Sequence, residues 1–264
     1  MKRVETAPST VPFFIDTHCH LDAAEFDADR DAVHARAVAA GVGIQIVPAV
    51  SRDNFAAVED TCARYPGCLP AWGLHPMYVG VHRPEHLADL RARIEVQRPV
   101  AVGEIGLDRF VDLDYATQEY FCIAQLKIAR EYDLPVLLHC RRATDDLLKH
   151  LRRIGVRGGI AHAFNGSMQQ AEAFLKLDFK LGFGGAFTWP RANNLRRLAV
   201  ELPMEAIVLE TDSPDIPPVW VGRGRNTPGE LPRIAATLAE LRGIGVATVA
   251  AATTRNAREL LRLE

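Results

Sequence analysis

The sequence repeats one kind of unit eight times: a short apolar run, a polar residue at its end, and then a stretch with helical periodicity. The apolar runs are rich in Val, Ile, Leu and Phe, which is typical of strands buried on both faces of a parallel sheet. They cover residues 13–18, 44–50, 69–74, 100–104, 136–139, 159–162, 180–184 and 207–212. Helical connections imply parallel strands with right-handed crossovers. The sequence therefore predicts an α/β protein, with a single-domain (β/α)8 TIM-type barrel favoured over an open doubly wound sheet.

Composition limits the classes of partner that the chain can bind. Its 264 residues are 48% hydrophobic, which is enough for one large core, and 31 Lys and Arg against 33 Asp and Glu give a net charge of −2. A chain without a basic excess does not coat nucleic acid along a whole face, so any nucleic acid must be bound locally. No glycine-rich phosphate loop follows any predicted strand, which disfavours dinucleotide and P-loop functions.

The compartment is also constrained by the sequence. No apolar run approaches the roughly 20 residues of a membrane span. The 5 cysteines are dispersed and show no CxxC spacing, which is typical of reduced thiols. Residues 1–11 do not have the pattern of a signal peptide, and we expect them to form a flexible N-terminal extension. We therefore expect a cytoplasmic protein with no membrane contact and no obligate protein partner.

Ionisable residues fall at the ends of the predicted strands. Asp16, His18 and His20 alternate at the end of the first strand, and a period of two places them on one face. Four other predicted strands end in a possible metal ligand: Glu104, His139, His162 and Asp212. In a barrel the carboxyl ends of the strands meet at one face, where active sites lie.

Four imidazoles and two carboxylates at one point would be costly to bury without a cation. Such ligands suit divalent metal ions, and six of them exceed the four that a structural zinc site uses. We therefore expect two divalent ions per chain, such as zinc, manganese, magnesium or nickel, without a choice among them. Glu104 is a natural bridge, because one carboxylate offers an oxygen to each ion.

Other polar residues near these strand ends are candidates for substrate contact. His75 ends the third predicted strand and Arg141 follows His139, and an arginine there can hold a phosphate or carboxylate. The loop after the eighth strand, with Arg223 and Arg225, is either a basic lip above the site or an ordinary polar loop. The remaining histidines are expected on the solvent-exposed surface: His34, His82, His86 and His150.

At these residues the sequence resembles the TatD family of metal-dependent hydrolases and deoxyribonucleases, within the amidohydrolase-type barrels. Seven segments carry the resemblance, in the family order: FIDTHCHL at 14–21, GLHP at 73–76, VGEIGLD at 102–108, LHCRR at 138–142, HAFNGS at 162–167, LETDSP at 209–214 and TRNA at 254–257. Each segment alone is weak evidence, whereas the ordered set is specific. Arg109 and Cys140 depart from the residues that are frequent in the family, and neither is a proposed ligand.

The resemblance implies a two-metal centre that hydrolyses phosphodiester bonds in DNA. It implies that His18, His20 and Asp212 hold one ion, that His139 and His162 hold the other, and that Glu104 bridges them. It also implies that Asp212 accepts the proton of the attacking water as general base.

Three functions compete at this stage. The first is a deoxyribonuclease acting on single strands or strand ends. The second is a hydrolase of a small amide, lactone or phosphoester with the same two-metal site, because function depends on the site and its loops rather than on the fold. The third is a binding module with a structural metal, which the retention of all six ligands disfavours.

Overall fold

Eight parallel strands form one sheet in sequence order in the computed structural model, which describes residues 12–263. The strands are β1 (Phe14–Asp16), β2 (Val42–Pro48), β3 (Cys68–Trp72), β4 (Ala101–Asp108), β5 (Val136–Arg141), β6 (Gly159–Ala161), β7 (Phe179–Phe183) and β8 (Ile207–Leu209). The helices are α1 (Arg30–Ala39), α2 (Phe55–Arg64), α3 (His86–Val96), α4 (Tyr115–Glu131), α5 (Thr144–Ile154), α6 (Met168–Leu175), α7 (Asn193–Glu201), α8 (Leu231–Arg242) and α9 (Val246–Leu261). Helices α1 to α8 follow the strands of the same number, which is the predicted alternation.

The sheet closes where its first and last strands meet. The Thr17 amide donates to the Leu209 carbonyl at 3.1 Å, and the Asp212 amide donates to the His18 carbonyl at 2.8 Å. These bonds join the segments just after β1 and β8, although the two strands themselves are only three residues long. The prediction of a single-domain (β/α)8 barrel is confirmed, and the open sheet is not observed.

The interior of the barrel is a packed apolar cluster. Seven strands contribute one buried side chain each, and three residues of the last helix pack against them: Ile15, Ile46, Ala71, Ala101, Leu137, Ile160 and Val208 with Ala257, Leu260 and Leu261. Burying one of the Ile, Leu or Val side chains contributes about 1.5–3 kcal/mol. Helix α9 thus covers the end of the barrel opposite the carboxyl ends of the strands.

Several predicted strand ends differ from the structure. Strand β1 ends at Asp16 and β8 at Leu209, so His18, His20 and Asp212 lie in the segments beyond the strands. Strand β4 continues to Asp108, so Glu104 lies in its middle. The prediction that Glu104 ends this strand is therefore wrong. The reason is that β4 stays paired with β5 as far as Asp108 opposite Arg141, and all eight of its residues are buried.

The prediction that four histidines lie on the surface is wrong: His34, His82, His86 and His150 are all buried. Each imidazole has an apolar body that packs inward. Among the described residues, three of these rings have a polar partner for one nitrogen, whereas neither ring nitrogen of His86 has one. The Nδ1 atom of His34 lies 3.1 Å from the Gln45 amide nitrogen, and Nε2 of His150 lies 2.7 Å from a carboxylate oxygen of Glu119.

Within residues 12–263, no single helix is long and apolar enough to cross a membrane; 228–242 and 246–261 pass that test only as a pair, bent by 112° at the break. The predicted flexible extension at residues 1–11 lies outside the described residues.

Candidate metal centre

The structure brings all six predicted ligands together at the mouth of the barrel where the strands end. Their donor atoms, with that of a seventh residue, His75, fall into three overlapping groups within 4.8 Å: His18, His162 and Asp212; His18, His20 and Glu104; and His75, Glu104 and His139. The side chains come from the segments just after β1, β3, β6 and β8, from β5, and from the middle of β4. A chain with this strand order therefore gathers residues that are almost 200 positions apart.

Glu104 lies between two sets of imidazoles and is 2% exposed. Its Oε2 atom lies 3.1 Å from Nε2 of His18 and 3.7 Å from Nε2 of His20. Its Oε1 atom lies 3.1 Å from Nε2 of His75 and 3.2 Å from Nδ1 of His139. Each carboxylate oxygen thus faces a different pair of ring nitrogens, which is the arrangement that a bridging ligand requires.

The Asp212 carboxylate lies beside the ring nitrogens of three histidines. Its Oδ1 atom lies 3.4 Å from Nε2 of His162, 3.7 Å from Nε2 of His18 and 3.8 Å from Nε2 of His20. The rings of His18 and His162 stack, with centroids 3.7 Å apart. His162 therefore groups with His18 and Asp212 in this structure, while His139 groups with His75 and Glu104.

The donor set fits divalent ions. Ligand atoms about 2.1 Å from an ion are about 3.0–3.4 Å from one another in octahedral and tetrahedral geometry. The donor–donor distances from 3.1 Å between His18 and Glu104 to 3.8 Å between His20 and Asp212 are close to this range. Imidazole nitrogens and carboxylate oxygens are accepted by zinc, manganese, nickel and related ions alike.

Buried carboxylates and the histidines beside them shift one another's pKa values. Burial opposes ionisation of Glu104, but the surrounding histidines, His75 and His18 foremost, hold its pKa well below the usual range. Burial also opposes ionisation of Asp212, and His162 outweighs it to lower that pKa. Burial lowers the pKa of His139, but hydrogen bonds to Asp108 and Glu104 outweigh that effect and raise the pKa to about 9.

His75 is held as a hydrogen-bond donor. Its Nδ1 atom accepts from the Met77 amide at 3.1 Å, and burial lowers its pKa to about 4, so the ring is neutral with its proton on Nε2. That proton points to Glu104. Gln125 of α4 holds the backbone just before His75 by bonding both the amide and the carbonyl of Leu74, at 2.7 and 3.0 Å.

Two buried carboxylates at the site were missed by sequence reasoning. Asp108 Oδ2 lies 2.9 Å from Nε2 of His139, and Glu210 Oε1 lies 3.0 Å from Nδ1 of His162. A signal exists in the sequence for Glu210, which is two residues before Asp212 in the predicted eighth strand, so that alternation places both on one face. Asp108 lies beyond the predicted end of the fourth strand, and its position became evident only with the full length of β4.

Asp16, which alternation placed with His18 and His20, lies outside the three donor groups. Its carboxylate accepts from the amide of Thr211 at 2.9 Å and from the Thr211 hydroxyl at 2.6 Å. Burial outweighs these bonds and raises its pKa to about 8. Because β1 ends at Asp16, the chain leaves the strand alternation there, and the side chains of Asp16 and His18 take different directions.

The site opens into a cavity of about 910 Å³. Arg141 lines it, with its guanidinium stacked 3.6 Å from the centroid of the Phe110 ring. Four carboxylates outside the donor groups line it as well, Asp22, Glu25, Glu210 and Asp215. Arg225 does not form a basic lip there, because its guanidinium pairs with Asp29 at 2.7 Å.

Comparison with known proteins identifies the family. The model of the TatD related DNase family matches residues 15–262. The chain belongs to the TatD family. It is 45% identical over 234 residues to the uncharacterized metal-dependent hydrolase YjjV of Escherichia coli (strain K12), covering 87% of this chain and 90% of that one. It is 34% identical to the 3′-5′ ssDNA/RNA exonuclease TatD of Pantoea sp. (strain At-9b), covering 94% and 99%.

The structural comparison agrees. The crystal structure of YjjV, the TatD homolog from Escherichia coli K12, superposes with a TM-score of 0.91 at 42% sequence identity and covers 95% of this chain and 98% of that one. Together with the donor groups described above, membership of the TatD family makes the protein a metal-dependent hydrolase.

Proposed function

We propose that this TatD family protein is a phosphodiesterase that hydrolyses DNA at single strands or strand ends, with two divalent ions per chain. The observation that carries the proposal is the position of Glu104, whose two oxygens face separate pairs of ring nitrogens. The name of the relative from Pantoea, a 3′-5′ ssDNA/RNA exonuclease, supports a nucleic-acid substrate.

The proposed ligands are the six residues expected from the sequence: His18, His20, Glu104, His139, His162 and Asp212. Divalent ions held by them would supply a Lewis acid and would lower the pKa of bound water to about 7. Zinc, manganese, magnesium and nickel all remain candidates for this role.

Asp212 is the proposed general base. It is kept ionised by the neighbouring histidines, and its carboxylate lines the cavity. Its backbone has φ 56, in the left-handed region that Asp and Asn adopt more easily than most residues. A hydrogen bond from its amide to the His18 carbonyl holds that conformation.

Substrate contact is assigned to His75 and Arg141. The Nε2 hydrogen of His75 donates into the centre. Among the described residues, the Arg141 guanidinium has no carboxylate partner and is held by its stacking on Phe110, so its donors are available to a phosphate oxygen.

The test is hydrolysis by protein that has been stripped with EDTA and reloaded with each candidate ion. We expect 5′- and 3′-labelled single-stranded oligonucleotides to be shortened from one end, and no turnover before reloading. Turnover of none of the nucleic-acid substrates by any reloaded form would contradict the proposal.

Asp212→Asn is the matching variant, because Asn keeps the shape and tolerates the left-handed backbone. With saturating metal, kcat should fall about 10²–10⁴-fold while the circular dichroism spectrum is unchanged. The control is Asp215→Asn, a carboxylate in the same cavity outside the donor groups, for which we expect kcat within about threefold of wild type. Equal activity of Asp212→Asn and wild type would remove the role of general base.

A small-molecule hydrolase is the second candidate, and one observation favours it. Asp22, Glu25 and Asp215 line the cavity, whereas Arg141 is the one Arg or Lys among the described residues that lines it. A long polyanion would be repelled by those carboxylates. Small phosphodiesters, lactones and amides are therefore assayed beside the oligonucleotides, and a preference of the reloaded protein for one of them would favour this candidate.

A further inference from the structure

Two arginines lie beside an exposed aromatic ring at the rim of the cavity. Phe110, in the loop after β4, is 52% exposed. Arg141 ends β5 and Arg142 follows it, and their guanidinium carbons lie 3.6 and 5.0 Å from the centroid of the Phe110 ring. Within residues 12–263, neither guanidinium pairs with a carboxylate. These three residues, called the Phe110 platform below, therefore offer an aromatic face and two cations to a ligand.

The backbone holds the ring of the platform in place. The amides of Phe110 and Val111 donate to Oδ1 of Asp108 at 2.7 and 3.3 Å. The Arg109 amide donates to the Arg141 carbonyl at 2.9 Å, which ties the loop after β4 to the end of β5. A ligand therefore binds to a platform that is already ordered, and binding does not have to include the cost of ordering this loop.

The platform lies across the barrel from three carboxylates of the cavity. Asp22 and Glu25 follow β1 and Asp215 follows β8, and these two strands meet at the seam. The platform follows β4 and β5, the middle of the strand order, which is opposite the seam in a closed barrel. Arg141 also lines the cavity and so connects the platform to the metal centre. A chain of phosphates that leaves the centre over the platform thus moves away from those carboxylates.

We propose that the Phe110 platform is a subsite for the nucleotide next to the scissile phosphate, whose base stacks on Phe110 and whose phosphate pairs with Arg142. An aromatic ring stacks on any base, and a guanidinium binds phosphate oxygens through charge-assisted hydrogen bonds. The subsite therefore binds single-stranded nucleic acid without reading its sequence. The proposal rests on the nucleic-acid substrate of the proposed function and adds the path that the strand follows.

The stacking is tested with Phe110→Ala in the metal-reloaded, full-length protein. Loss of one stacked base weakens binding about 5- to 150-fold. We therefore expect KM for single-stranded oligonucleotides to rise at least about fivefold, with kcat within about twofold of wild type because ground state and transition state lose the same contact. Phe110→Trp keeps a stacking face and should retain the wild-type KM. Bis(p-nitrophenyl) phosphate has no neighbouring nucleotide, so its KM should rise by no more than about threefold, from release of Arg141 alone.

An abasic nucleotide in the oligonucleotide removes the other partner of the stack. It is placed at each of the first three positions from the hydrolysed end in turn. At one position it should weaken binding to wild type about as much as Phe110→Ala does, and it should cause no further loss in Phe110→Ala. Additive losses at all three positions would show that no base stacks on this ring.

The pairing with phosphate is tested with Arg142→Asn. Arg142 has φ 55, and Asn tolerates this left-handed region better than most residues. In anisotropy titrations with EDTA-stripped full-length protein, which leaves the oligonucleotide intact, the slope of log K against log salt should become shallower by about 0.7. One neutral methylphosphonate linkage at the matching position should have the same effect on wild type and none on Arg142→Asn.

The matched control is Arg153→Asn, which removes the same charge from an exposed arginine in the last turn of α5, at the opposite end of the barrel. Its KM and salt slope should equal those of wild type. Binding that depends on Phe110 and Arg142 as described, without hydrolysis, would support the subsite and contradict the catalytic assignment alone. Hydrolysis with unchanged KM and salt slope in Phe110→Ala and Arg142→Asn would overturn the subsite and leave the proposed function intact. Neither binding nor hydrolysis of nucleic acid would overturn both.

Discussion

At the scale of single residues, protonated histidines balance the charge of the buried carboxylates. His139 has its pKa raised to about 9, because hydrogen bonds to Asp108 and Glu104 outweigh the effect of burial. The pKa of His162 is raised well above its usual value by Glu210 and Asp212, again against burial. At neutral pH both rings are thus charged in the metal-free protein and neutralise the carboxylates around them.

This charge state predicts a pH dependence of metal binding. An imidazole must be neutral at the ligating nitrogen, so metal binding at pH 7 releases a proton from His139 and another from His162. Affinity should rise with pH toward about 9, by about tenfold per pH unit for each proton released. Calorimetry in buffers of different ionisation heat measures the number released. Binding at pH 7 without proton release would show that these rings are already neutral.

At the scale of elements, β4 and β5 meet more closely than side chains would allow. Gly106 has φ 149, a conformation that disfavours other residues, and a Cβ there would lie 1.9 Å from the His139 carbonyl oxygen. The glycine thus allows β4 to carry Glu104 and Asp108 directly beside the strand that carries His139. Two residues that face His139 depend on this approach.

Gly106→Ala should therefore destabilise the fold and the centre together. The strained backbone and the displaced β5 carbonyl should cost about 2–4 kcal/mol of unfolding free energy. The matched control is Gly80→Ala, because Gly80 is exposed and an added Cβ there meets no atom within 4 Å. Urea denaturation of the metal-free proteins measures both. A change below about 0.5 kcal/mol in Gly106→Ala, the range of neutral surface substitutions, would show that β5 can relax.

The strands and helices also show which features of the fold could be predicted from the sequence. Apolar runs alternating with helical periods predicted all eight strands, because each strand is buried on both faces and has to be apolar throughout. The ends of the strands were harder to predict from the sequence. Strand β4 extends to Asp108 because it pairs with β5, and the residues of β4 alone do not indicate that pairing. The role of Glu210 was missed because its partner, His162, is 48 positions earlier in the chain, and only the barrel brings them together.

At the scale of the whole molecule, acidic side chains outnumber basic ones at the mouth of the barrel. Among the described residues, the carboxylates of Asp22, Glu25, Glu210 and Asp215 line the cavity outside the donor groups, together with one arginine, Arg141. The chain has a net charge of −2. On the proposed function, such a surface would hold one or two phosphates and repel the rest of a strand. The end of a nucleic acid would then bind in preference to its middle.

The corresponding prediction concerns salt. Each phosphate neutralised on a single strand contributes about −0.7 to the slope of log K against log salt concentration. With Arg141 as the main cation, we expect a slope between about −0.7 and −1.5 for single-stranded oligonucleotides, and a shallower one for Arg141→Ala. Titrations by fluorescence anisotropy between low and physiological salt measure it. A slope steeper than about −3 would require a basic binding surface elsewhere on the protein.

The seam that closes the barrel also has a consequence during synthesis on the ribosome. Asp212 is held against His18 by the same backbone bonds that join the two ends of the sheet, so a nascent polypeptide that has emerged only as far as β7 lacks one member of the donor group of His18, His162 and Asp212. Cofactor acquisition by this protein should then be a late event in its biogenesis, which follows release of the C-terminal segment rather than accompanying translation.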